Sequence, residues 1–371
     1  ERFRALLDQA VADRLPQGPV SIFLSGGLDS TSITAIALVS ARKRSVPLDL
    51  RAYTVDYNPL FNDPEGTLAS QAARHFQIPI DVLNAAEVLP YHNWNDLVMQ
   101  MPEPLHEPLR SVSVTATCRA AGHARVFFTG YGGDGIMTGQ AWPYLVDLSR
   151  RRQFGTLGRS FGRYFVRHRR LPPLRAGFRA RLLRWKSKGD PIVQYPMWLA
   201  SHFAQQEHLS DRWHELRQPG SSLHPWHPSG HIALSGPTWS TTLEIDDAAW
   251  HGIPVEGRAP LLDLRLQRFL LQIPPVPYCI DKQLFRHAVV GLLPDEIRLR
   301  KKTPLCGDPL SLHLERRAWS PILPDHLSPL AGQFISLENF SAVLKSPSSF
   351  SPWRDLRPLS LLLWTKALQF G

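Results

Sequence analysis

Val20-Ser21-Ile22-Phe23-Leu24-Ser25-Gly26-Gly27-Leu28-Asp29-Ser30 decides how the rest of the chain is read. Residues 20–24 form a short, mostly apolar run that Ser25-Gly26-Gly27 ends, the pattern of a buried strand entering a tight turn. Residues 30–43 follow as a helix, and the alternation then repeats. Strands are expected over 48–56, 78–83 and 124–129, and helices over 65–76 and 111–122, with Asn62 or Asp63 as N-cap of the first. Such alternation over about the first 140 residues implies right-handed crossovers, and so an α/β fold with a mostly parallel sheet and flanking helices. Residues 1–15 read as an amphipathic helix rather than a secretion signal. After residue 145 no strand pattern is evident; the chain reads as helical and proline-punctuated, with 217–240 as a loop. The expected division is an α/β core over 1–145, a basic helical insertion over 146–245 and a helical part over 246–371.

Ligands of parallel sheets bind at the carboxyl ends of the strands. Glycine turns stand at two such ends. The first spells SGGLDS at 25–30. Small residues let backbone N–H groups and hydroxyls close on an anion, and the following helix N-terminus adds positive potential. The turn has no Walker lysine and carries an acid, Asp29. A carboxylate beside phosphates requires a cation between them, and Mg²⁺ favours one or two carboxylates plus phosphate oxygens. The second turn, GYGGDG at 130–135, repeats the design with Asp134. Two such turns can hold one Mg²⁺ on a pyrophosphate from two sides.

The 371 residues are 43% hydrophobic and 20% charged, which excludes a disordered chain, and no apolar run is long enough to span a bilayer. Cys118, Cys279 and Cys306 lie far apart without a CxxC, against a disulfide framework or a cysteine zinc site and in keeping with a reducing cytoplasm. The net charge of +10 comes from one segment: residues 150–188 hold 14 Lys/Arg and no acid, leaving 28 basic and 32 acidic groups elsewhere. Apolar residues recur there at helical spacing (Phe154, Leu157, Phe161, Phe165, then Leu182, Leu183, Trp185), and Pro172-Pro173 divides them into two helices. The segment is either a solvated face or a groove for an acidic partner. Nothing resembles a nucleic-acid-binding motif, so nucleic acid is not expected. His224, His227 and His231 have a spacing that suits a metal but lie in a Pro/Gly-rich stretch, and are read as an accidental cluster; Trp94 and Trp142 are read as core or groove walls.

SGGLDS after a strand resembles the pyrophosphate loop of the ATP-pyrophosphatase (HUP-like) superfamily. With GYGGDG, VEGRAPLLD (255–263), DKQLFRHA (281–288) and LPDEIRLRKKTP (293–304), in that order, the chain resembles the synthetase domain of the asparagine synthetase family. The resemblance implies that ATP adenylates a carboxylate with loss of pyrophosphate, and that a nitrogen nucleophile then displaces AMP. By position it implies that Ser25, Gly26, Gly27, Asp29 and Ser30 hold pyrophosphate and Mg²⁺, and that Asp134 is the second metal-associated acid. It further implies that Leu24 and Val55 contact the nucleoside, and that Thr129 and Gly130 form the other side of the nucleotide pocket. Lys302, or Lys301 if the register slips by one, matches the lysine that stabilises transition-state charge. Arg258, Asp263 and Arg286 are expected to form a buried ion-pair network beside the site.

Several departures bear on substrate. Asparagine synthetases usually read GEGSDE at the second turn; here Tyr131 replaces the first acid and Gly135 the last. The tyrosine resembles that of the β-lactam synthetases, where it assists deprotonation of an internal amine with an acid further along the chain. The corresponding stretch here is the acid-free basic segment, so no partner is assigned; packing over the nucleotide is the plainer role for Tyr131. No glutaminase-like domain with an N-terminal cysteine is present in this chain. Together the basic insertion and YGGDG turn resemble the lasso peptide macrocyclases, which adenylate an Asp or Glu side chain of a precursor peptide and close a macrolactam with the peptide's own amine. Expected partners are then the precursor peptide, a leader-peptide-binding protein and a protease, with Arg167, Arg169 and Arg170 bordering the peptide. The alternatives are an asparagine synthetase, a β-lactam-type cyclase, or an inactive nucleotide- or peptide-binding scaffold.

Overall fold

The structure is a computed structural model, and it describes residues 1–58, 60–91, 103–104, 107–172, 195–217, 224–236, 238–301, 307–317, 327–346 and 350–367. Five parallel strands form the sheet: β1 (Val20–Phe23), β2 (Leu50–Asp56), β3 (Ile80–Asn84), β4 (Val126–Phe128) and β5 (Glu256–Arg258), in the order β3-β2-β1-β4-β5. The helices of this half are α1 (Arg2–Ala12), α2 (Leu28–Lys43), α3 (Glu65–Phe76) and α4 (Arg110–Ala121). Strands β1 to β3 step outward in one direction, and α4 carries the chain back across the sheet to β4. The order therefore reverses between β1 and β4, whose pairing sets Ser21 against Phe127 and Ile22 against Phe128. A ligand crevice opens at such a switch point, and both glycine turns leave from these two strands.

Side chains alternate across the strands. Val20 and Ile22 of β1 pack with Phe3, Leu7 and Val11 of α1 and Ile33 and Ile36 of α2; Phe23 faces the opposite cluster, with Val112 and Ala116 of α4. That second cluster is completed from far along the chain by Leu310, Ile335, Phe340, Leu356 and Leu359. Helix α2 is buried nearly all round, and its hydroxyls are satisfied by back-bonding: Thr31 to Gly27 O (2.6 Å), Ser32 to Leu28 O (2.6 Å), Thr34 to Ser30 O (2.9 Å). The Asp63 carboxylate accepts from Glu65 N–H (3.0 Å) at the start of α3.

Two readings of the second half change. A fifth strand, β5, joins the sheet; Glu-Gly-Arg is too short and polar to show a strand pattern, and its parallel pairing with β4 supplies what the sequence does not. Within 217–240, Pro228–Ser235 is a helix with proline in its first turn, and another runs Thr238–Ile245. The basic insertion opens with α5 (Ala141–Arg150) and α6 (Phe154–His168), which pack on Val276 and Ile280 through Tyr144, Leu145 and Tyr164. The second half of the basic segment, with Leu182, Leu183 and Trp185, lies outside the described residues, as do Trp94 and Lys302.

Candidate active site

Helix α2 begins at Leu28, so Asp29 and Ser30 lie in its first turn rather than ahead of it, and Gly27 is its N-cap. The loop is tied inward: Ser25 N–H donates to Ser30 Oγ (3.2 Å), the two hydroxyls lie 3.2 Å apart, and Gly27 N–H reaches Ser25 Oγ (3.3 Å). Gly26 has φ +65°, and a Cβ there would lie 2.5 Å from the backbone carbonyl carbon of Leu68 in α3, so this turn requires glycine. Leu24 is buried behind the loop and extends the β1–β2 pairing through N–H to Tyr53 O (2.8 Å).

The second turn closes on the first. Thr129 N–H bonds to Arg258 O of β5 (3.0 Å). A Cβ on Gly130 would lie 3.3 Å from Ser30 N, and one on Gly133 would overlap the Asp29 carboxyl group. The backbones thus approach as closely as glycine permits, bringing Asp29 and Asp134 together. Both carboxylates meet one ammonium, that of Lys282, at 2.5 Å and 2.7 Å. Lys282 and its neighbour Asp281 both adopt left-handed backbone (φ 56° and 51°), an uncommon pair for non-glycine residues that is held in place here at the cavity wall. Two carboxylates already converged on one cation are a donor set that fits Mg²⁺ bridged to phosphate oxygens. Among the described residues no group of three or more His, Cys, Asp or Glu side chains forms a protein-only metal cage.

Loop 25–29, Asp134 and Lys282 line a cavity of about 830 Å³ whose further wall carries Arg167, Arg170, Arg286, Arg300 and Lys301. Of the insertion's arginines, Arg167 and Arg170 line this cavity together with loop 25–29. The expected network of Arg258, Asp263 and Arg286 divides. Asp263 pairs with Arg14 (2.8 Å) and Arg265 (2.8 Å), which hold its carboxyl far below the usual range, while Arg258 pairs with Glu256 and donates to Arg14 O (2.6 Å). Arg286 stands apart, donating to the carbonyls of Asp281 (2.8 Å), Arg298 and Arg300 (2.9 Å) and so shaping the cavity wall. Val55 is not in this cavity; it lines a separate one of about 420 Å³ with Tyr57, Glu107, Asp308 and Trp353. Lys301 is exposed on the main cavity wall.

Tyr131 does more than pack. Its phenol interacts electrostatically with the Asp246 carboxylate, and its ring lies 6.5 Å from that of Trp239. Burial raises the Asp246 carboxyl to about 6 against the opposing pull of Arg110; burial and Asp246 together push the Tyr131 phenol well above its ordinary value. Asp246 is placed by backbone: Arg110 Nη2 grips Ile245 O (2.8 Å), and Gly257 N–H of β5 donates to Asp246 O (3.2 Å). Sequence reasoning missed this acid, since Asp246 lies 115 residues beyond Tyr131; its trace is LEIDD (243–247), just before the unrecognised strand. The rings of His227 and His231 lie 5.5 Å and 5.9 Å from that of His224, the first tilted and the second stacked, with His224 Nδ1 accepting from the N–H groups of Trp226 (3.3 Å) and His227 (2.9 Å) ahead of helix Pro228–Ser235.

The family model for asparagine synthase matches residues 2–366. The chain belongs to the asparagine synthase family. As such it is an ATP-dependent carbon–nitrogen ligase that forms AMP and pyrophosphate. No curated protein matches it. Among solved structures it is similar to the U34-tRNA thiolase NcsA from Methanococcus maripaludis, solved with its 4Fe-4S cluster, at 13% identity over 83% of this chain and 84% of that one, with a TM-score of 0.31. Among the described residues no helix is long and apolar enough to cross a membrane.

Proposed function

We propose that this asparagine synthase family member closes a macrolactam in a precursor peptide, as the lasso peptide macrocyclases do. The observation that carries the reading is the Tyr131–Asp246 pair, which stands where an ammonia-using enzyme has an acid. In the first step an Asp or Glu carboxylate of the peptide attacks the α-phosphorus of ATP and pyrophosphate leaves. The N–H groups and hydroxyls of loop 25–30 receive the leaving group. Asp29 and Asp134 would hold Mg²⁺, which supplies charge neutralisation on the phosphates. In the second step the peptide's amine attacks the acyl carbon and AMP departs. As the C–N bond forms, the amine proton passes to Tyr131 Oη while Tyr131 gives its own to Asp246. A lysine of 301–302 offsets oxyanion charge in both steps. Cytoplasmic location, the precursor peptide, and a leader-peptide-binding protein and protease as pathway partners belong to the same proposal.

The test is incubation with ATP, Mg²⁺ and linear precursor peptides carrying an amino terminus and an internal Asp or Glu. The expected product is lighter by one water, with AMP and pyrophosphate formed in equal amount. Formation of asparagine from aspartate and ammonia, with the peptides untouched, would overturn the macrocyclase reading in favour of the ordinary family reaction.

A further inference from the structure

We propose that Arg167 and Arg170, from the basic insertion, are ligands for the pyrophosphate half of ATP, gripping it together with loop 25–30. The proposal rests on ATP use by the family and not on the identity of the acyl acceptor. Ser25, Gly26, Gly27 and Asp29 line the same cavity of about 830 Å³ as Arg167 and Arg170. The end of α6 is held there. Arg167 Nη2 donates to Gln283 Oε1 (2.5 Å), and His168 Nδ1 lies 3.4 Å from Asp281 Oδ2, both partners flanking Lys282.

Charge in the cavity is segregated. Lys282 sits with Asp29 and Asp134; among the described residues the rest of the wall carries Arg167, Arg170, Arg286, Arg300 and Lys301 against Glu65 and Asp281. Arg300 Nη1 is buried and finds no hydrogen-bond partner among the described residues. A wall with this excess needs a multiply charged anion, and the guanidinium fork matches phosphate oxygens bidentately. The segment 150–188 contains no acid to compete for those arginines. A singly charged substrate carboxylate matches this wall less well than a pyrophosphate, which carries several charges.

Calorimetric titration of the full chain with inorganic pyrophosphate plus Mg²⁺, and separately with AMP, tests this. Arg167→Ala and Arg170→Ala are each expected to weaken pyrophosphate binding roughly 10-fold, and the pair more, with AMP affinity unchanged because AMP lacks that half. Arg159→Ala, two turns back on α6 and exposed, removes the same charge and should leave both affinities alone. Arg→Lys at the two positions should recover part of the loss, and it replaces the alanine variants if they do not fold. Pyrophosphate affinity within twofold of the unaltered chain in the double variant overturns the proposal, as does an equal loss for AMP, which marks a merely structural role. If the unaltered chain binds no pyrophosphate, the ATP reading of the cavity falls and the proposal with it.

Discussion

Asp246 is the side chain whose protonation the reaction would register. With its carboxyl at about 6, the ionised form that accepts the proton from Tyr131 prevails only above that pH. Rate of amide formation is expected to fall on the acid side of about 6, and Asp246→Asn to lower it roughly 10²-fold and abolish that limb while pyrophosphate release continues. A pH profile of the two half-reactions checks this; an unchanged acid limb in the Asn variant would remove Asp246 from the proton path. Stability has the opposite slope. The folded pKa lies above the unfolded 3.8, so the folded state binds the proton more tightly and loses stability as pH rises from about 4 to 6. Asp246→Asn should flatten that part of the curve, read by urea denaturation at several pH values. At the other end of the site, Lys302→Ala is expected to lower kcat roughly 10²-fold with little effect on ATP affinity. The same pattern from Lys301→Ala instead would shift the assignment by one residue.

At the scale of elements, the two turns were legible because their chemistry is local. A strand, then two to four glycines and one acid within six residues, state both the turn and its ligand class. What joins them was not legible. Asp29 meets Asp134 only because β4 is laid beside β1, and Lys282 comes between them from 148 residues beyond Asp134 through two left-handed residues that no propensity favours. The strand β5 escaped for a related reason: its pattern carries no apolar alternation, and its Gly257 is chosen for close approach to Asp246 and to Phe127, whose atoms a Cβ would meet at 2.9 Å. Glycine substitutions separate the two kinds of constraint. Gly26→Ala adds left-handed strain of about 1 kcal/mol to a clash with the backbone of α3, so it should lower Tm as well as activity. Gly133→Ala meets the Asp29 carboxyl group first, so it should cost activity and metal-dependent ATP binding with a smaller change in Tm. Thermal melts beside ATP titrations distinguish them; equal Tm losses would mean that the second turn is as backbone-limited as the first.

For the whole molecule, the division at residue 145 describes where sequence patterns change, while the packing runs across it. One face of the sheet is covered by α4 together with Leu310, Ile335, Phe340, Leu356 and Leu359, and the sheet edge itself is β5. A chain organised this way should unfold as one unit, because neither half buries its apolar surface without the other. Phe340 is fully buried nearly 200 residues past the break. Replacing it with Ala removes a large side chain from the cluster that seats α4, at a cost of about 3–5 kcal/mol. That loss should lower a single transition, seen alike by circular dichroism and by tryptophan fluorescence. Saturating MgATP, if it binds as proposed in the cavity that both halves line, should raise the same transition in the Ala variant by preferential binding to the folded state. Two separated transitions, with only the second moved by Phe340→Ala and only the first moved by MgATP, would make the α/β core an independent domain and the carboxyl-terminal helices an appended one.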